Sequence, residues 1–299
     1  MESSTFRRNA VAYMFLLPWL LGLFAFVVGP MISSLYLSFT KYDIVSPAQW
    51  IGIANFKEIF GQDMRFLKAL KATFIFVFTS VPLKLAFALF VAILLNRSIR
   101  SIGLYRSVFY LPSLLGGSVA IAVVWKRIFS QDGFVNTVLG WFHIEGQIWI
   151  ASPTFAIYTI VILAVWQFGS PMIIFLAGLK QIPEHLYEAS SIDGATKRQQ
   201  FLKITLPMLS PVIFFNLVLQ TINGFMVFTQ GYIITKGGPL DSTLLYTIYL
   251  YEKGFKFFQM GYASALSWIL LVIVGVFTAI IFMTSKHWIY YESEGGAAK

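Results

Sequence analysis

The sequence predicts an all-α, polytopic membrane protein, and three observations support this fold class. Hydrophobic residues make up 58% of the 299 residues and charged residues only 12%, whereas an average soluble domain is about half apolar and about a quarter charged. Six apolar segments each reach the roughly 20 residues that a helix needs to cross a bilayer. Acidic residues lie mainly in the loops, and none lies deep within one of these segments. We therefore predict six transmembrane helices.

The six predicted spans form a single transmembrane domain over residues 1–299, and their bounds are 11–39, 72–95, 104–125, 154–179, 207–234 and 261–284. Proline and glycine predict irregular helix geometry near Pro30 in the first span and at Gly169–Pro171 in the fourth. Residues 40–70 combine mixed charge with spaced aromatic residues, which predicts a short amphipathic segment at the outer face. Residues 235–243 contain two glycines and a proline, which predict a turn.

The formal net charge is +9, and its distribution fits a membrane protein better than a nucleic-acid-binding protein. Basic residues flank the predicted spans, and no basic stretch or nucleic-acid motif lies outside the hydrophobic framework. Six spans place both termini on one side of the membrane. The basic residues near the span ends are almost equally divided between the two sides, so their number does not decide the orientation. The short basic loop 96–106 favours an inner position for itself and for both termini.

The loop between the fourth and fifth spans, residues 183–206, is polar and predicts two short helices separated by a bend at Gly194. Pro183 suits the first turn of the first helix, where its missing N–H costs nothing. The first helix carries the acidic residues Glu184, Glu188 and Asp193, which anionic lipid would repel. Small residues beside them leave room for close approach. The loop is therefore predicted to contact a protein partner rather than lipid headgroups.

This hairpin resembles the EAA loop of the permeases of importer-type ABC transporters. That loop contains E-A-A, three residues, Gly, nine residues and then I-x-L-P, and the chain has Glu188-Ala189-Ser190, Gly194 and Ile204-Thr205-Leu206-Pro207 at the same spacing. Ser190 replaces the second alanine, which exchanges one small residue for another. Asp193-Gly194-Ala195, together with Phe201 and Pro211, is similar to the carbohydrate branch of the family.

Further stretches extend the resemblance over nearly the whole chain, to the first-partner permeases of maltose- and glycerol-3-phosphate-type importers. These stretches are FLLPWLLGLFAF, GPMISSLYLSFT, WIGIANFKEIF, FYLPSLLGGSVAIAVVW, GGPLDST and GYASALSWIL. The second-partner type ends in a glycine-rich tail that contacts the ATPases, whereas this chain ends in WIYYESEGGAAK. The resemblance therefore implies one half of a permease heterodimer.

In this family the loop is a cytoplasmic coupling helix, here between spans 4 and 5, that sits in a cleft of an ATPase subunit. The resemblance therefore implies a multi-pass protein of a bacterial or archaeal cell (inner) membrane with both termini in the cytoplasm. It implies the permease subunit of an ATP-driven importer for a sugar or oligosaccharide. The implied partners are membrane lipid, a second permease subunit, two ATPase subunits and an extracytoplasmic sugar-binding protein that docks on outer loops 40–70 and 126–152. The chain itself is then no enzyme and holds no cofactor, because ATP and Mg bind the partner ATPase.

The resemblance also assigns roles within the hairpin. The residues expected to couple to the ATPase are Glu188, Ala189, Ser190, Asp193, Gly194 and Ala195. Glu188 is expected to meet a basic residue of the ATPase. The residues expected to pack the hairpin on the base of the helix bundle are Phe201, Ile204, Leu206 and Pro207. Gly194→Asp or Glu188→Lys is expected to uncouple ATP hydrolysis from uptake.

Candidate residues for the substrate path lie in the fourth and fifth spans. Asn216, Gln220, Asn223 and Gln230 are spaced so that they lie along one helical face. Their amides either bind sugar hydroxyls or form hydrogen bonds between helices, and the sequence leaves both interpretations open. In the fourth span Gln167 can form hydrogen bonds and Trp166 can stack on a sugar ring, with packing as the alternative role of the tryptophan.

The sequence lacks the features that are typical of several other function classes. The chain has no cysteine, and its three histidines are scattered without metal-ligand spacing. No G-x-x-x-x-G-K-[ST] motif occurs, so the chain does not bind ATP by that device. Lys84, at mid-depth in the second span, must face protein, water or a partner. It is the one cation near the path, although a glycerol-3-phosphate importer should have several. That cargo, a polyol, a self-sufficient secondary carrier or channel, and a membrane-embedded enzyme remain as alternatives.

Overall fold

The computed structural model describes residues 2–96 and 102–290, with side chains from residue 13 onward. These residues form fifteen α-helices, numbered in chain order: α1 Glu2–Leu23, α2 Gly29–Ser38, α3 Ala54–Gly61, α4 Met64–Leu95, α5 Ile102–Leu115, α6 Val119–Ile128, α7 Phe134–Trp141, α8 Ala156–Trp166, α9 Gly169–Leu179, α10 Glu184–Ile192, α11 Lys197–Gln200, α12 Leu206–Phe225, α13 Thr229–Ile234, α14 Tyr246–Tyr251 and α15 Met260–Ser285. π-Helical turns occupy Phe24–Val28, Phe201–Thr205 and Glu252–Lys256, and one antiparallel pair joins β1 (Thr40–Lys41) to β2 (Gln49–Trp50).

Four helical stretches in the described part of the chain are long and apolar enough to cross a membrane: Tyr13–Ser38, Met64–Leu95, Lys197–Ile234 and Met260–Ser285. Two bent helix pairs meet the same criteria, α5 with α6 at 97° and α8 with α9 at 42°. The total is therefore four to six spans. The prediction of an all-α polytopic membrane protein is confirmed. The extent of its single domain, 1–299, stays a prediction, and residues 97–101 of the basic loop lie outside the described residues.

The described residues divide into two compact units. Unit 1 comprises the residues up to Asp63 together with Leu250–Leu271, and unit 2 comprises Met64–Tyr249 together with the residues from Val272 onward.

In unit 1 the helix irregularity predicted near Pro30 is the π-turn that joins α1 to α2. The N–H of Gly29 donates to the carbonyl of Phe24, five residues earlier, and the ring of Pro30 is accommodated at the start of α2. After α2 the chain forms the two-stranded hairpin and α3. The buried Asn55 amide donates to the carbonyls of Ser38 (2.9 Å) and Thr40 (3.0 Å), which fixes α3 against the end of α2. The amphipathic segment predicted over 40–70 is thus a β-hairpin followed by the short helix α3, and its residues from Met64 onward begin α4.

In unit 2, α4 is the central helix and packs against α8, α9 and α12. It starts at Met64, eight residues before the predicted span. Its fully buried positions include the small residues Ala69, Ala88 and Ala92, which allow neighbouring helices to approach closely. The ring of Phe225 on α12 lies 5.7 Å from that of Phe74 on α4.

Three of the helical segments in unit 2 are interrupted. Residues 104–125 form α5 and α6, which separate at Gly116–Ser118, where the Ser118 hydroxyl caps α6 by accepting from the N–H of Ile121. Residues 207–234 form α12 and α13, and the hydroxyl of Thr247 donates to the carbonyl of Val227 in the gap between them. The third interruption, at Gln167–Phe168 between α8 and α9, lies just before the predicted kink at Gly169–Pro171.

Candidate functional site

The hairpin of residues 183–206 is a helix–turn–helix, and Gly194 forms its bend. Gly194 has φ +78°, a left-handed conformation that glycine adopts at little cost. Its N–H donates to the carbonyl of Ser191 (3.1 Å), and the N–H of Ala195 donates to the carbonyl of Ser190 (2.9 Å). These two bonds are the Schellman arrangement that ends a helix and satisfies its last carbonyls. The sequence therefore specifies where α10 stops.

The second helix of the hairpin starts with a capping box. The N–H of Gln199 donates to the hydroxyl of Thr196, and the N–H of Thr196 donates to Oε1 of Gln199 at 2.7 Å. Such reciprocal bonds satisfy two backbone donors that a helix start leaves without partners. Both sides of the bend are thus fixed by local hydrogen bonds.

Gln200 joins the two helices of the hairpin and was missed by sequence reasoning. It is buried, and its Nε2 lies within hydrogen-bonding distance of the Tyr187 carbonyl (3.1 Å) and of the hydroxyls of Ser190 (2.9 Å) and Ser191 (2.8 Å). The phenol of Tyr187 is also hydrogen-bonded to the hydroxyl of Thr205 at 2.9 Å. Ser190, which departs from the E-A-A pattern, takes part in this network. The spacing of Gln200 from Ile204, one helical turn, was the only sequence signal for its inward position.

The outer face of α10 is free for a partner. Glu188, Ala189 and Asp193 are exposed, and Ile192 is 88% exposed. Among the described residues, neither Glu188 nor Asp193 has an ion-pair partner. Beside this face lies a depression of about 300 Å³ lined by Ser190, Asp193, Gly194, Ala195, Gln199, Gln200, Lys203 and Ile204. An exposed isoleucine among carboxylates and small side chains is a surface suited to a protein contact.

The side chains that follow α11 at the end of the hairpin are less exposed than the outer face of α10. Phe201, Ile204, Leu206 and Pro207 are each partly buried, and Thr205 is buried among them. The hairpin connects α9 to α12, and these two helices pack closely, since a Cβ at Gly178 would lie only 2.8 Å from the side chain of Val212.

A second feature of unit 2 is a cavity of about 440 Å³, lined by residues of α4, α8 and all three helix interruptions. Its polar lining consists of Ser80, Lys84, Ser113, Gln167, Ser170, Gln220, Asn223, Thr229 and Gln230. Phe76, Phe228 and several aliphatic side chains complete the wall, and none of the described aspartates or glutamates lines it. A cavity of this size with converging amides and hydroxyls suits a small polar ligand.

The three helix interruptions meet at the carbonyl of Gly116. Nε2 of Gln167 donates to it at 3.0 Å and Nε2 of Gln230 at 3.3 Å. A Cβ at Gly116 would lie 2.2 Å from Cγ of Gln167, so only glycine permits this approach. The hydroxyl of Ser113 donates to the Gln167 carbonyl and accepts from the N–H of Ser170, both at 3.0 Å. Backbone groups freed by the interruptions are thus partly satisfied by side chains at the cavity wall.

The structure brings Gln167, Gln220, Asn223 and Gln230 together in this cavity, although the last follows the gap between α12 and α13. Two other predicted path residues lie elsewhere. Asn216 is fully buried away from the cavity, and its amide atoms have no hydrogen-bond partner among the described residues.

Trp166 also lies away from the cavity wall. It packs against the cluster of Ala122, Leu163 and Ile234, and its ring centroid is 5.7 Å from that of Trp125. The sequence could not show this, because the next residue, Gln167, lies in the interruption and faces a different side. The aromatic residues that do line the cavity are Phe76 and Phe228, which sequence reasoning missed.

At the N-terminal end of α4 an ion pair joins the helix to the loop after α13. Arg65 donates from Nη2 to Oδ1 of Asp241 at 3.0 Å, and Nζ of Lys68 lies 3.6 Å from Oδ2 of the same carboxylate. The hydrogen bonds from Arg65 hold the pKa of Asp241 below its usual value. The predicted turn 235–243 is therefore fixed to α4 by charge.

Residues 59–290 match the protein family described as the binding-protein-dependent transport system inner membrane component. The chain belongs to this family. Among its curated relatives, the probable ABC transporter permease protein YesP of Bacillus subtilis (strain 168) is 53% identical over 297 residues, covering 98% of this chain and 96% of that protein. The lactose transport system permease protein LacF of Rhizobium radiobacter is 33% identical over 92% of this chain and 93% of that protein. The predicted membership of the importer permease family is confirmed.

A solved structure supports the fold of this binding-protein-dependent permease. A chain in the crystal structure of a bacterial alginate ABC transporter, in complex with an alginate pentasaccharide-bound periplasmic protein, superposes with a TM-score of 0.83. The alignment covers 95% of this chain and 96% of that chain. At 23% identity the similarity is evidence for the fold alone. Family and fold together identify a multi-pass membrane transport component.

Proposed function

We propose that this chain is the permease subunit of an ATP-driven importer that moves a sugar or oligosaccharide delivered by an extracytoplasmic binding protein. The main observation in support of this function is the hairpin at 183–206. Hydrogen bonds fix the hairpin internally, and it presents Glu188, Ile192 and Asp193 on an exposed face. The relatives support the cargo class, since one is described as a lactose transport permease and another as an arabinooligosaccharides transport permease.

The proposed partners follow from this role. Two ATPase subunits bind ATP and Mg, and this chain holds no cofactor. A second permease subunit completes the pathway, and α10 docks in a cleft of one ATPase, with Glu188 meeting a basic residue there. The docking face includes Ala189, Ser190, Gly194 and Ala195, whose small size permits close contact. The hairpin is then cytoplasmic, and so are both termini of this bacterial or archaeal cell membrane protein.

The geometry suggests how ATP-driven movement reaches the cargo. Closure of the ATPase pair displaces α10, and the partly buried side chains of Phe201, Ile204, Leu206 and Pro207 transmit the displacement to α9 and α12. Both helices adjoin interruptions that line the cavity. Gln167, Gln220 and Asn223 therefore form the proposed substrate path. Asn216 and Trp166 are proposed to serve helix packing instead.

The test is the charge reversal Glu188→Lys in the complete importer, purified through a tag on this chain and reconstituted in liposomes with its binding protein. Uptake from a mixture of oligosaccharides, measured by mass spectrometry, should fall about tenfold or more, because a like charge placed against the basic ATPase cleft opposes docking. ATP hydrolysis by the remaining complex should no longer be linked to uptake. Unchanged uptake, or uptake by this chain without any ATPase, would contradict the proposal.

A further inference from the structure

Lys84 is a cation on the wall of the cavity. It lies on α4 one helical turn after Ser80 and two turns after Phe76, and all three side chains face the cavity. The residue is partly buried, at mid-depth of a helix long enough to cross the membrane. A charged side chain at such a depth is costly unless it meets water, a counter-charge or hydrogen-bond acceptors.

The described residues provide no counter-charge for this lysine. No carboxylate lines the cavity, and the ion pairs formed by described residues do not involve Lys84. Its Nζ also has no hydrogen bond to any described residue. The described acidic residues lie outside the spans that carry the cavity, so no rearrangement of nearby side chains within the chain would supply an acid. The cavity therefore carries one uncompensated positive charge.

The rest of the lining leaves hydrogen-bonding capacity open. The side-chain amides of Gln220 and Asn223 form no hydrogen bond within the described structure. Those of Gln167 and Gln230 use only their N–H groups, on the carbonyl of Gly116, so their oxygens remain available as acceptors. Amides and hydroxyls beside Phe76 and Phe228 suit a ring with several hydroxyl groups, and the lysine adds a site for one anionic group.

We propose that the cargo is an acidic carbohydrate and that Lys84 selects it by binding the carboxylate of a uronic acid unit. This inference rests on the proposed function. A carboxylate carries one negative charge, which equals the single positive charge of the cavity. A phosphate monoester carries about 1.5 to 2 negative charges at neutral pH and would leave charge uncompensated. The charge-assisted bond to Lys84 is also stronger than one to a neutral hydroxyl, so it discriminates against neutral sugars of the same shape.

The experiment compares matched sugars in cells that express the complete importer. The probes are dimers and trimers of galacturonate, glucuronate and mannuronate, their carboxyl-reduced neutral counterparts, and hexose 6-phosphates. Intracellular sugars are quantified by mass spectrometry. At least one uronate should accumulate about tenfold or more above its neutral counterpart, which is the factor expected from one charge-assisted hydrogen bond.

Three variants test the lysine itself. Lys84→Gln should remove the preference for the uronate over its neutral counterpart, whereas Lys84→Arg should keep it. Lys71→Gln is the matched control, because Lys71 is exposed on the same helix, 13 residues away and thus about 20 Å along it, and should leave the preference unchanged. Equal amounts of assembled importer, measured by co-purification of the ATPase, establish that each variant folds.

Preferential uptake of neutral sugars or hexose phosphates, or an unchanged uronate preference in Lys84→Gln, would overturn the inference. So would equal loss of all uptake in Lys84→Gln, which indicates a lysine that pairs with another subunit. In these outcomes wild-type uptake persists and the proposed importer stands. If wild-type cells take up no probe, the acidic-cargo inference fails, and the Glu188→Lys test on oligosaccharide mixtures decides the proposed function separately.

Discussion

Gly194 is the residue on which the geometry of the hairpin depends. Its φ of +78° is strained for residues with a Cβ, although no neighbouring atom lies within 4 Å of where that Cβ would be. The restriction at Gly194 is therefore one of backbone conformation and not of space. Asparagine visits this conformation more readily than β-branched residues do.

We predict that Gly194→Val weakens docking of the ATPase and Gly194→Asn largely preserves it. Valine in a left-handed conformation costs about 1 to 3 kcal/mol, so a hairpin with valine shifts to another bend, and its exposed face changes. The amount of ATPase that co-purifies with the tagged chain should fall about fivefold or more for valine only. Equal co-purification for both variants would show that the bend does not position the docking face.

Residues with local partners were predictable from the sequence, and residues with distant partners were not. The bend at Gly194 follows from spacing within a few residues. The network of Gln200 depends on Tyr187, 13 residues away, and the contact of Gly116 with Gln167 spans 51 residues. No local sequence pattern predicts contacts between residues so far apart in the chain. Asn216 is a further example, because the periodicity of the sequence shows which face of the helix it lies on but not whether that face packs against another helix or lines the cavity.

At the scale of secondary-structure elements, the interruptions of α5–α6, α8–α9 and α12–α13 were the main features that hydropathy missed. Hydropathy depends on composition, and the gaps carry glycine, amide and apolar residues that leave each segment apolar enough to cross a bilayer. The sequence predicted a kink close to the gap at Gln167–Phe168, because Gly169 and Pro171 follow this gap directly. The gap at residues 226–228 has no such marker beyond Gly224.

We predict that Gly116→Ala disrupts the junction of these interruptions, while Gly117→Ala does not. The new methyl group at 116 would overlap Gln167, whereas a Cβ at Gly117 meets nothing within 4 Å. Such overpacking typically costs about 1 to 3 kcal/mol. Thermal unfolding of the purified importer should therefore start at a lower temperature for Gly116→Ala alone, and uptake should fall with it. Equal unfolding curves for the two variants would refute the tight contact at Gly116.

At the scale of the whole molecule, the six predicted spans and the proposed cytoplasmic position of the hairpin together predict an orientation. The hairpin follows the fourth predicted span, and the loop 126–152 precedes that span, so a single crossing by this span would place the two on opposite sides of the membrane. The absence of cysteine makes this orientation easy to test, because any introduced cysteine is the only thiol in the chain.

We predict that Ile192→Cys is shielded from a membrane-impermeant thiol reagent in intact cells and that Glu145→Cys is labelled. Both side chains are exposed, so access to the reagent depends on the side of the membrane. After permeabilisation Ile192→Cys should react in the isolated chain and be protected when ATPase is bound. Labelling of Ile192→Cys in intact cells would invert the orientation and exclude docking of a cytoplasmic ATPase.

The 20 residues of α12 form one helix from the hairpin to the edge of the cavity, which gives a rigid rod of about 30 Å. A rod of that length behaves as a lever, and a tilt of about 5° at the hairpin would carry its far end sideways by about 2.5 Å. That distance is close to the length of a hydrogen bond. A modest rotation at the membrane surface would therefore be enough to separate Gln220 and Asn223 from a sugar held between them and the opposite wall.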